Sequence, residues 1–179
     1  MRKKNFPKGK IKLNDGMFYE YEINEKQKHI AKNIWGKILV NQEFERLKED
    51  SKKTIYYHEK QHSEKFNVIL GVISISLAFI LIFFSIFLLT VFSSYFYPIS
   101  KVLDPIYFSF LVMVDFLLLI IFILINYLDE TICDVNAVKN MGVKNFNDSI
   151  IKYYKDKGNN DCVYHPHWKL RKKIIESFD

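Results

Sequence analysis

The chain contains 179 residues, and its 26 Lys and Arg against 20 Asp and Glu give a formal net charge of +6. Charge is unevenly distributed, because residues 66–100 contain no charged side chain and residues 106–128 contain only Asp115. Two apolar runs of this length exclude an ordinary water-soluble domain, since about 20 apolar residues cross a bilayer as a helix. We expect no cleaved signal peptide, because the first 65 residues contain no such run.

Residues 1–23 predict a basic tail followed by a β-hairpin. The opening segment, MRKKNFPKG, combines positive charge with proline and glycine, and a segment of this kind can contact anionic lipid. Apolar and polar residues then alternate around Asn14-Asp15-Gly16, which is a turn signal between two strands.

Residues 24–65 predict a cytoplasmic helical region that runs into the first apolar run. Asn24 followed three positions later by Gln27 fits an N-terminal cap with a reciprocal partner. Apolar residues recur at helical spacing after this cap, with a break allowed near Gly36. These residues are Ile30, Ala31, Ile34, Trp35, Ile38 and Leu39.

The most specific motif in this region is HEKQH, which spans His58 to His62. Two histidines four positions apart share a helix face and could bind zinc, with Glu59 as the general base of a metallopeptidase. Three features argue against that chemistry: the charged Lys60 inside the motif, the lack of a following glycine and third histidine, and the lack of a sheet-rich domain that could form a cleft. We therefore predict that the motif is coincidental, that the chain is not an enzyme and that it carries no cofactor.

Residues 66–128 predict a two-span transmembrane hairpin. Its spans, residues 66–92 and 106–128, are joined by a short loop, residues 93–105. Lysines lie beside the other ends of both spans, whereas the loop contains only Lys101, so the positive-inside rule places both termini in the cytoplasm. We predict a multi-pass protein of the inner (plasma) membrane.

Small residues form one stripe along the first predicted span. Small side chains let two helix backbones approach closely in lipid. The stripe therefore predicts packing, either against the second span of the same chain or against another copy. Its members are Gly71, Ser74, Ala78 and Ser85.

Asp115 is the most unusual residue of the second span, because it lies near the midplane, where an Asp costs about 2.5–3.5 kcal/mol on insertion scales. Neither span contains a basic residue that could pair with it. Its carboxyl group must be protonated and hydrogen-bonded, with Ser74, Ser76 and Ser85 as available hydroxyls, or it must face water in a pore formed by several chains. Asn126 lies on nearly the same face of the helix. A hydrogen bond between the spans and a pore lining are both open interpretations.

Residues 129–179 predict a cytoplasmic tail of short helices. Before the last helix, Cys162, His165 and His167 are ligand types that suit zinc, and they could meet His58 and His62 in space. Exposed loop histidines are the alternative. We expect no disulfide, because both cysteines lie on the reducing cytoplasmic side.

The last predicted helix is basic and amphipathic, with Pro166 at a plausible first helical position. Its apolar residues, Leu170, Ile174 and Phe178, recur every four positions. Such a helix either lies on the lipid surface or packs against the first cytoplasmic helix. On the membrane-surface interpretation, the contacting residues are Trp168, Arg171, Lys172 and Lys173.

The stretch YYHEKQHSEKFNVILGVISISLAFI, residues 56–80, resembles the entry to the first span in the SLATT superfamily. The overall layout is also similar: a cytoplasmic helix, two spans with a short loop, and a helical tail. The resemblance implies a membrane effector of a bacterial antiphage defence system, which oligomerises and permeabilises the inner membrane when a partner sensor triggers it. The residues that carry it are Tyr57, His58, Lys60, Phe66, Leu70 and Gly71.

Three hypotheses of function follow. The first is a non-enzymatic, two-span effector that forms homo-oligomers in the bilayer and responds to a cytoplasmic sensor or nucleotide-signalling protein. The second is a passive anchor or assembly subunit that holds a soluble partner through Trp35, Ile38 and their neighbours. The third is a membrane-tethered zinc peptidase. We expect no specific nucleic-acid binding.

Overall fold

The structure, a computed structural model, describes residues 6–96, 105–156 and 166–177, and side chains within these ranges except at residues 91–96 and 105–107. Helix predominates, as predicted, and two long apolar helices are accompanied by a small N-terminal sheet. The predicted residues Cys162, His165 and Phe178 lie outside the described ranges.

The sheet has four strands in the order β1-β2-β4-β3. The first two strands pair antiparallel, as do the last two, and a parallel pairing between β2 and β4 joins the two hairpins. The strands are β1 (Lys8–Lys12), β2 (Phe18–Ile23), β3 (Ala31–Ile34) and β4 (Lys37–Val40).

The first hairpin confirms the prediction made from Asn14-Asp15-Gly16. Ile11 pairs with Tyr19 across it, and the Asp15 carboxylate accepts a hydrogen bond from the Met17 backbone N–H at 2.9 Å. Gly16 has a φ of 80°, a left-handed conformation that glycine adopts without steric cost.

The helix predicted from Asn24 is wrong, because residues 31–40 form the second hairpin. Trp35 and Gly36 have φ values of 53° and 79°, and two successive left-handed residues make the tight turn that suits a two-residue hairpin loop. Asn24 forms a local turn, accepting a hydrogen bond from the Lys26 N–H at 3.1 Å. Ile30, Ile34 and Ile38 are four positions apart, a spacing that fits two periods of a strand as well as one turn of a helix. The isoleucine pattern therefore could not distinguish a strand from a helix.

The second helical prediction is also corrected, because no continuous helix enters the first apolar run within the described part of the chain. The last residue of α2 is Gln61, and a turn at residues 62–64 precedes α3. The helices are α1 (Gln42–Glu45), α2 (Glu49–Gln61), α3 (Lys65–Phe96), α4 (Pro105–Phe146), a π-helical turn (Asn147–Ile151), α5 (Lys152–Asp156) and α6 (Trp168–Glu176).

One hydrophobic core joins the sheet to the helices outside the long apolar pair. Phe44, on α1, is fully buried and meets the Tyr21 ring edge-on at 5.3 Å between ring centres. Ile55 of α2, Phe146 at the end of α4 and Ile175 of α6 belong to the same core. The elements before α3 and after α4 therefore form one packed body, which we call the α/β module.

The two long apolar helices pack against each other and leave most of their surface uncovered. The most apolar windows of α3 and α4 are only 11% and 6% buried. Large side chains such as Phe83 and Phe116 are 70% and 63% exposed. Both helices are long and apolar enough to cross a membrane, and such exposure differs from that of a core helix in a water-soluble protein.

Gly142 interrupts α4 near its end, with a φ of 80° and a ψ of 158°. This conformation is essentially restricted to glycine, and it turns the chain toward the π-helical segment that packs on α2. Gly142→Ala is expected to lower the free energy of unfolding by about 1–3 kcal/mol, measured by thermal unfolding of the full chain in detergent. The matched control is Gly71→Ala in α3, where an added Cβ meets no described atom within 4 Å; equal losses in both variants would contradict this account.

Candidate functional site

The two histidines of HEKQH face acidic residues of α4 in the interior of the α/β module. His58 lies in the last turn of α2 and His62 directly follows the helix as its C-cap, with their rings 5.2 Å apart and nearly perpendicular. Opposite them, α4 presents Asp129, Glu130 and Asp134. We call these five residues the histidine–carboxylate cluster.

His62 has a carboxylate partner at each ring nitrogen. Its Nδ1 lies 3.0 Å from Asp129 Oδ2, and its Nε2 lies 3.7 Å from Glu130 Oε1. Burial lowers the pKa of this imidazole, but the hydrogen bond to Asp129 and the charges of Glu130, Glu59 and Asp129 outweigh burial and raise the pKa to about 9. The surroundings of His62 therefore favour positive charge.

His58 repeats the same arrangement one turn earlier. Its Nδ1 lies 3.0 Å from Asp134 Oδ1, and its Nε2 lies 3.6 Å from Glu130 Oε2. Only 6% of the His58 side chain is exposed. Each imidazole thus directs Nδ1 to an aspartate and Nε2 to the shared Glu130.

Arg171 closes the cluster from the side of α6. Its Nε donates to Asp134 Oδ2 at 2.7 Å and its Nη2 donates to Asp134 Oδ1 at 2.5 Å, and both side chains are 2% exposed. Burial raises the pKa of Asp134, but Arg171 and His58 outweigh it and hold the pKa below its usual value. The guanidinium also lies 4.7 Å from the centre of the Tyr154 ring, a cation–π distance.

Amide side chains connect the cluster to the base of α3. Asn67 is buried and donates to Asp129 Oδ1 at 2.6 Å, while its own carbonyl accepts from Gln61 at 2.8 Å. Cys133 Sγ lies 3.4 Å from His62 Nδ1, and burial together with the neighbouring acids raises the pKa of its thiol. The first residues of the long apolar helix are thus hydrogen-bonded to the cluster.

Glu59, the candidate general base of the motif, is held by strand β3. Its Oε2 accepts a hydrogen bond from the Asn33 backbone N–H at 2.8 Å, and its backbone carbonyl accepts from Asn33 Nδ2 at 2.7 Å. These bonds fix α2 against the sheet. Glu59 nonetheless borders the cavity described next.

A cavity of about 350 Å³ opens beside the cluster. Its size suits a small ligand. Although no sheet-rich domain was expected, the small sheet supplies one wall of the cavity, since Ala31 and Asn33 of β3 line it, together with Gly71 of α3. Its polar lining includes His58, His62, Asp129, Glu130 and Arg171.

Two sets of ligand atoms within the described residues are close enough to hold a metal ion. His58, His62 and Glu130 each offer one atom, and these atoms lie within 4.8 Å of one another. His62, Asp129 and Cys133 form a second set with the same limit. The zinc partners predicted for the HEKQH histidines were Cys162, His165 and His167, whereas the described partners come from α4.

The predicted residues of the apolar helices meet along one seam. Ser74 donates to the Asn126 side-chain carbonyl at 2.9 Å, and Ser85 Oγ lies 3.3 Å from the Asp115 carboxylate. Ser74 is buried, and Gly71, Ala78 and Ser85 of the same stripe are half-buried. The serines of the small-residue stripe therefore contact the second helix of the same chain, the first of the two predicted packings.

The predicted surface residues of α6 divide between interior and exterior. Arg171 is wrong as a membrane-surface residue, because it is buried against Asp134. Trp168 and Lys172 are half-buried and Lys173 is exposed. Trp168, rather than Pro166, is the first helical residue, and His167 caps the helix: its Nδ1 accepts a hydrogen bond from the Lys169 N–H at 3.1 Å. The core-facing apolar residue is Ile175, whereas Leu170 is 41% exposed.

Sequence reasoning missed Asp129, Glu130, Cys133 and Asp134 as site residues. The sequence contained one signal that could have found them, namely that two long apolar helices joined by a short loop form an antiparallel hairpin. Residues just before the first run and just after the second must then lie at similar depth, so the HEKQH stretch could have been matched to LDETICD. Only the side-chain directions decide which acids face the histidines.

Comparison of the chain with protein-family models, with curated proteins and with solved structures finds no match.

Proposed function

We propose that the chain is a two-span membrane effector, whose spans assemble with other copies and permeabilise the inner membrane when a cytoplasmic partner acts on the α/β module. The exposed apolar surfaces of α3 and α4 support insertion, since water would contact these side chains in a soluble protein. The first and last described elements, β1 and α6, both contribute to the core of the α/β module, which supports a cytoplasmic location of both.

The observation that carries the proposal is Asp115 within the apolar pair. Its carboxylate is half-buried beside Ser85, and the shallow groove around it is otherwise lined by aliphatic residues. An acid at the centre of a membrane helix is costly and usually serves substrate, ion or proton movement. Assembly of several chains would bring this edge of the seam against a neighbour or a shared aqueous path.

Helix α4 offers a physical route from signal to membrane. The same helix carries Asp115 in its apolar part and Glu130 and Asp134 in the histidine–carboxylate cluster, without a non-helical residue until Gly142. A displacement of α4 at the cluster would therefore move Asp115 as well. The resemblance to SLATT effectors of antiphage defence supports the same role.

Asp115→Leu is expected to abolish ion leakage from vesicles reconstituted with the protein, reducing it to the level of protein-free vesicles. Leucine is more apolar than aspartate, so insertion should be preserved. The assay follows dissipation of a potassium diffusion potential with a voltage-sensitive dye. Induced expression in bacteria should likewise depolarise cells with the wild-type chain and not with the variant.

The control for this experiment is Met113→Leu, an apolar exchange at a 59% exposed position two residues away on α4. It should leak like the wild type. Flotation of the vesicles on a density gradient verifies that both variants are inserted. Leakage by Asp115→Leu at the wild-type rate would remove Asp115 from the mechanism.

One observation favours the passive anchor as a second candidate. Trp35, at the tip of the β3–β4 hairpin, is 96% exposed, and such a side chain is a typical anchor for a protein partner. Ile38, the other residue named for this role, is only 5% exposed and belongs to the core. An anchor would recruit its partner through Trp35 and leave the membrane potential unchanged on induction.

A further inference from the structure

We propose that His58, His62 and Glu130 bind a Zn²⁺ ion between α2 and α4. This site goes beyond the proposed membrane function and does not depend on it. The HEKQH motif then supplies two ligands, as its spacing allows. The third, Glu130, lies on α4, just after the second apolar run.

The ligand atoms of the two histidines converge on Glu130. The Nε2 atoms of His58 and His62 lie 3.6 Å and 3.7 Å from the two oxygens of one carboxylate, Glu130. Zinc bonds to nitrogen and oxygen are about 2.0–2.2 Å long, so tetrahedral ligands lie about 3.3–3.6 Å apart. All three ligand atoms lie within 4.8 Å of one another, so side-chain rotation can bring them to these distances.

An aspartate lies beside Nδ1 of each imidazole, on the opposite side of the ring from Glu130. Asp134 lies 3.0 Å from Nδ1 of His58, and Asp129 lies 3.0 Å from Nδ1 of His62. A histidine that binds metal almost always donates its other N–H to a carboxylate or carbonyl, which fixes the tautomer and orients the ring. Each Nδ1 lies close to an aspartate oxygen, so with the proton on Nδ1 each Nε2 would present its lone pair toward Glu130.

Charge balance also favours a divalent cation. The cluster contains three carboxylates, of which Arg171 pairs with Asp134 and lies 3.7 Å from Glu130. With neutral imidazoles, the three carboxylates of the cluster and the Arg171 guanidinium leave a formal charge of −2, which a divalent cation would balance. Only 5% of the Glu130 side chain is exposed, and buried charges in proteins are paired or coordinate metals.

The geometry points to an ion with three protein ligands and an open side. All three ligands border the cavity of about 350 Å³, from which water or a small ligand could complete the coordination. Two histidines and a glutamate are a known zinc donor set of this type. Glu59 is engaged by Asn33, so we infer binding of the ion and no hydrolytic step.

The second set of close ligand atoms, which includes Asp129 and Cys133, is the competing arrangement. It requires the Cys133 thiolate, which buried surroundings and four neighbouring acids disfavour. It also requires Nδ1 of His62 and leaves Nε2 directed at Glu130 without a metal. The set with Glu130 instead uses Nε2 of each ring, the nitrogen that does not face an aspartate.

The test uses the full chain purified in detergent, stripped with a chelator and titrated with Zn²⁺ in competition with a chromogenic chelator. The wild type is expected to bind about one ion per chain, confirmed by elemental analysis. Glu130→Gln and His58→Gln should each weaken Zn²⁺ binding by more than about 100-fold, and Asp129→Asn by about 10–100-fold. His29→Gln, which alters an exposed histidine at the cavity rim, is the matched control and should bind like the wild type.

A measurement on the unchanged sequence guards against misfolded variants. Co²⁺ bound to the wild type should give the visible bands of a nitrogen–oxygen site without a sulfur-to-cobalt charge-transfer band. The proposal is overturned if the wild type binds no zinc, if a sulfur charge-transfer band appears, or if Cys133→Ser loses the ion while Glu130→Gln keeps it. Circular dichroism and elution volume in detergent show which variants are folded.

Discussion

Replacing Arg171 by methionine is expected to lower the free energy of unfolding by about 3–5 kcal/mol, because it leaves the Asp134 carboxylate buried without its guanidinium. Both side chains are 2% exposed and joined by two hydrogen bonds. The same change removes the contact that holds α6 against α4. The measurement is thermal or denaturant unfolding of the full chain in detergent, followed by circular dichroism.

The matched control for Arg171 is Lys172→Met on the next position of α6. Lys172 forms an exposed pair with Glu176 at 3.5 Å, and such pairs contribute at most about 1 kcal/mol. The double variant Arg171→Met with Asp134→Leu should be more stable than Arg171→Met alone, since it removes the stranded charge. A double variant no more stable than the single one would show that Asp134 does not cause the loss.

Phe146→Ala is expected to lower the free energy of unfolding by about 3–5 kcal/mol, the usual range for a large aromatic residue removed from a packed core. Phe146 has no exposed surface and ends α4, where it joins the core shared by the sheet, α2 and α6. The loss should appear as a lower denaturant midpoint for the α/β module.

Phe18→Ala serves as the matched control, because the Phe18 side chain is 67% exposed on β2. Its loss should stay within about 0.5 kcal/mol, as for most surface substitutions. If Phe18→Ala and Phe146→Ala were equally destabilising, the α/β module would not have the core described above.

The HEKQH motif could be located from the sequence, but its partner Glu130 could not. Its spacing identified two histidines on one helix face, and the structure retains that face. The charged Lys60, the missing glycine and third histidine, and the missing sheet-rich domain argue against a peptidase, and Cys162, His165 and His167 were the further zinc ligands that the sequence offered. Glu130 is 68 positions after His62 and reaches it only because the chain returns through the apolar hairpin.

By itself, the sequence determined the features that depend on local composition and short spacing. These are the two apolar helices, the hairpin at Asn14-Asp15-Gly16 and the candidate hydroxyl partners of Asp115, of which Ser85 is the one observed. Uncharged runs and turn residues act over a few neighbouring positions, so their effect is visible without a fold.

Only the tertiary structure decided which long-range partners meet. It made residues 31–40 a hairpin rather than a helix, because pairing of β4 with β2 and burial of Ile38 outweigh a pattern that fits both periods. It placed Arg171 inside, against Asp134 of α4, where the basic amphipathic pattern of the last helix allowed either a lipid surface or packing against the first cytoplasmic helix. It also brought Glu130 to the two histidines, since side-chain direction and helix packing, not spacing along the chain, bring these groups together.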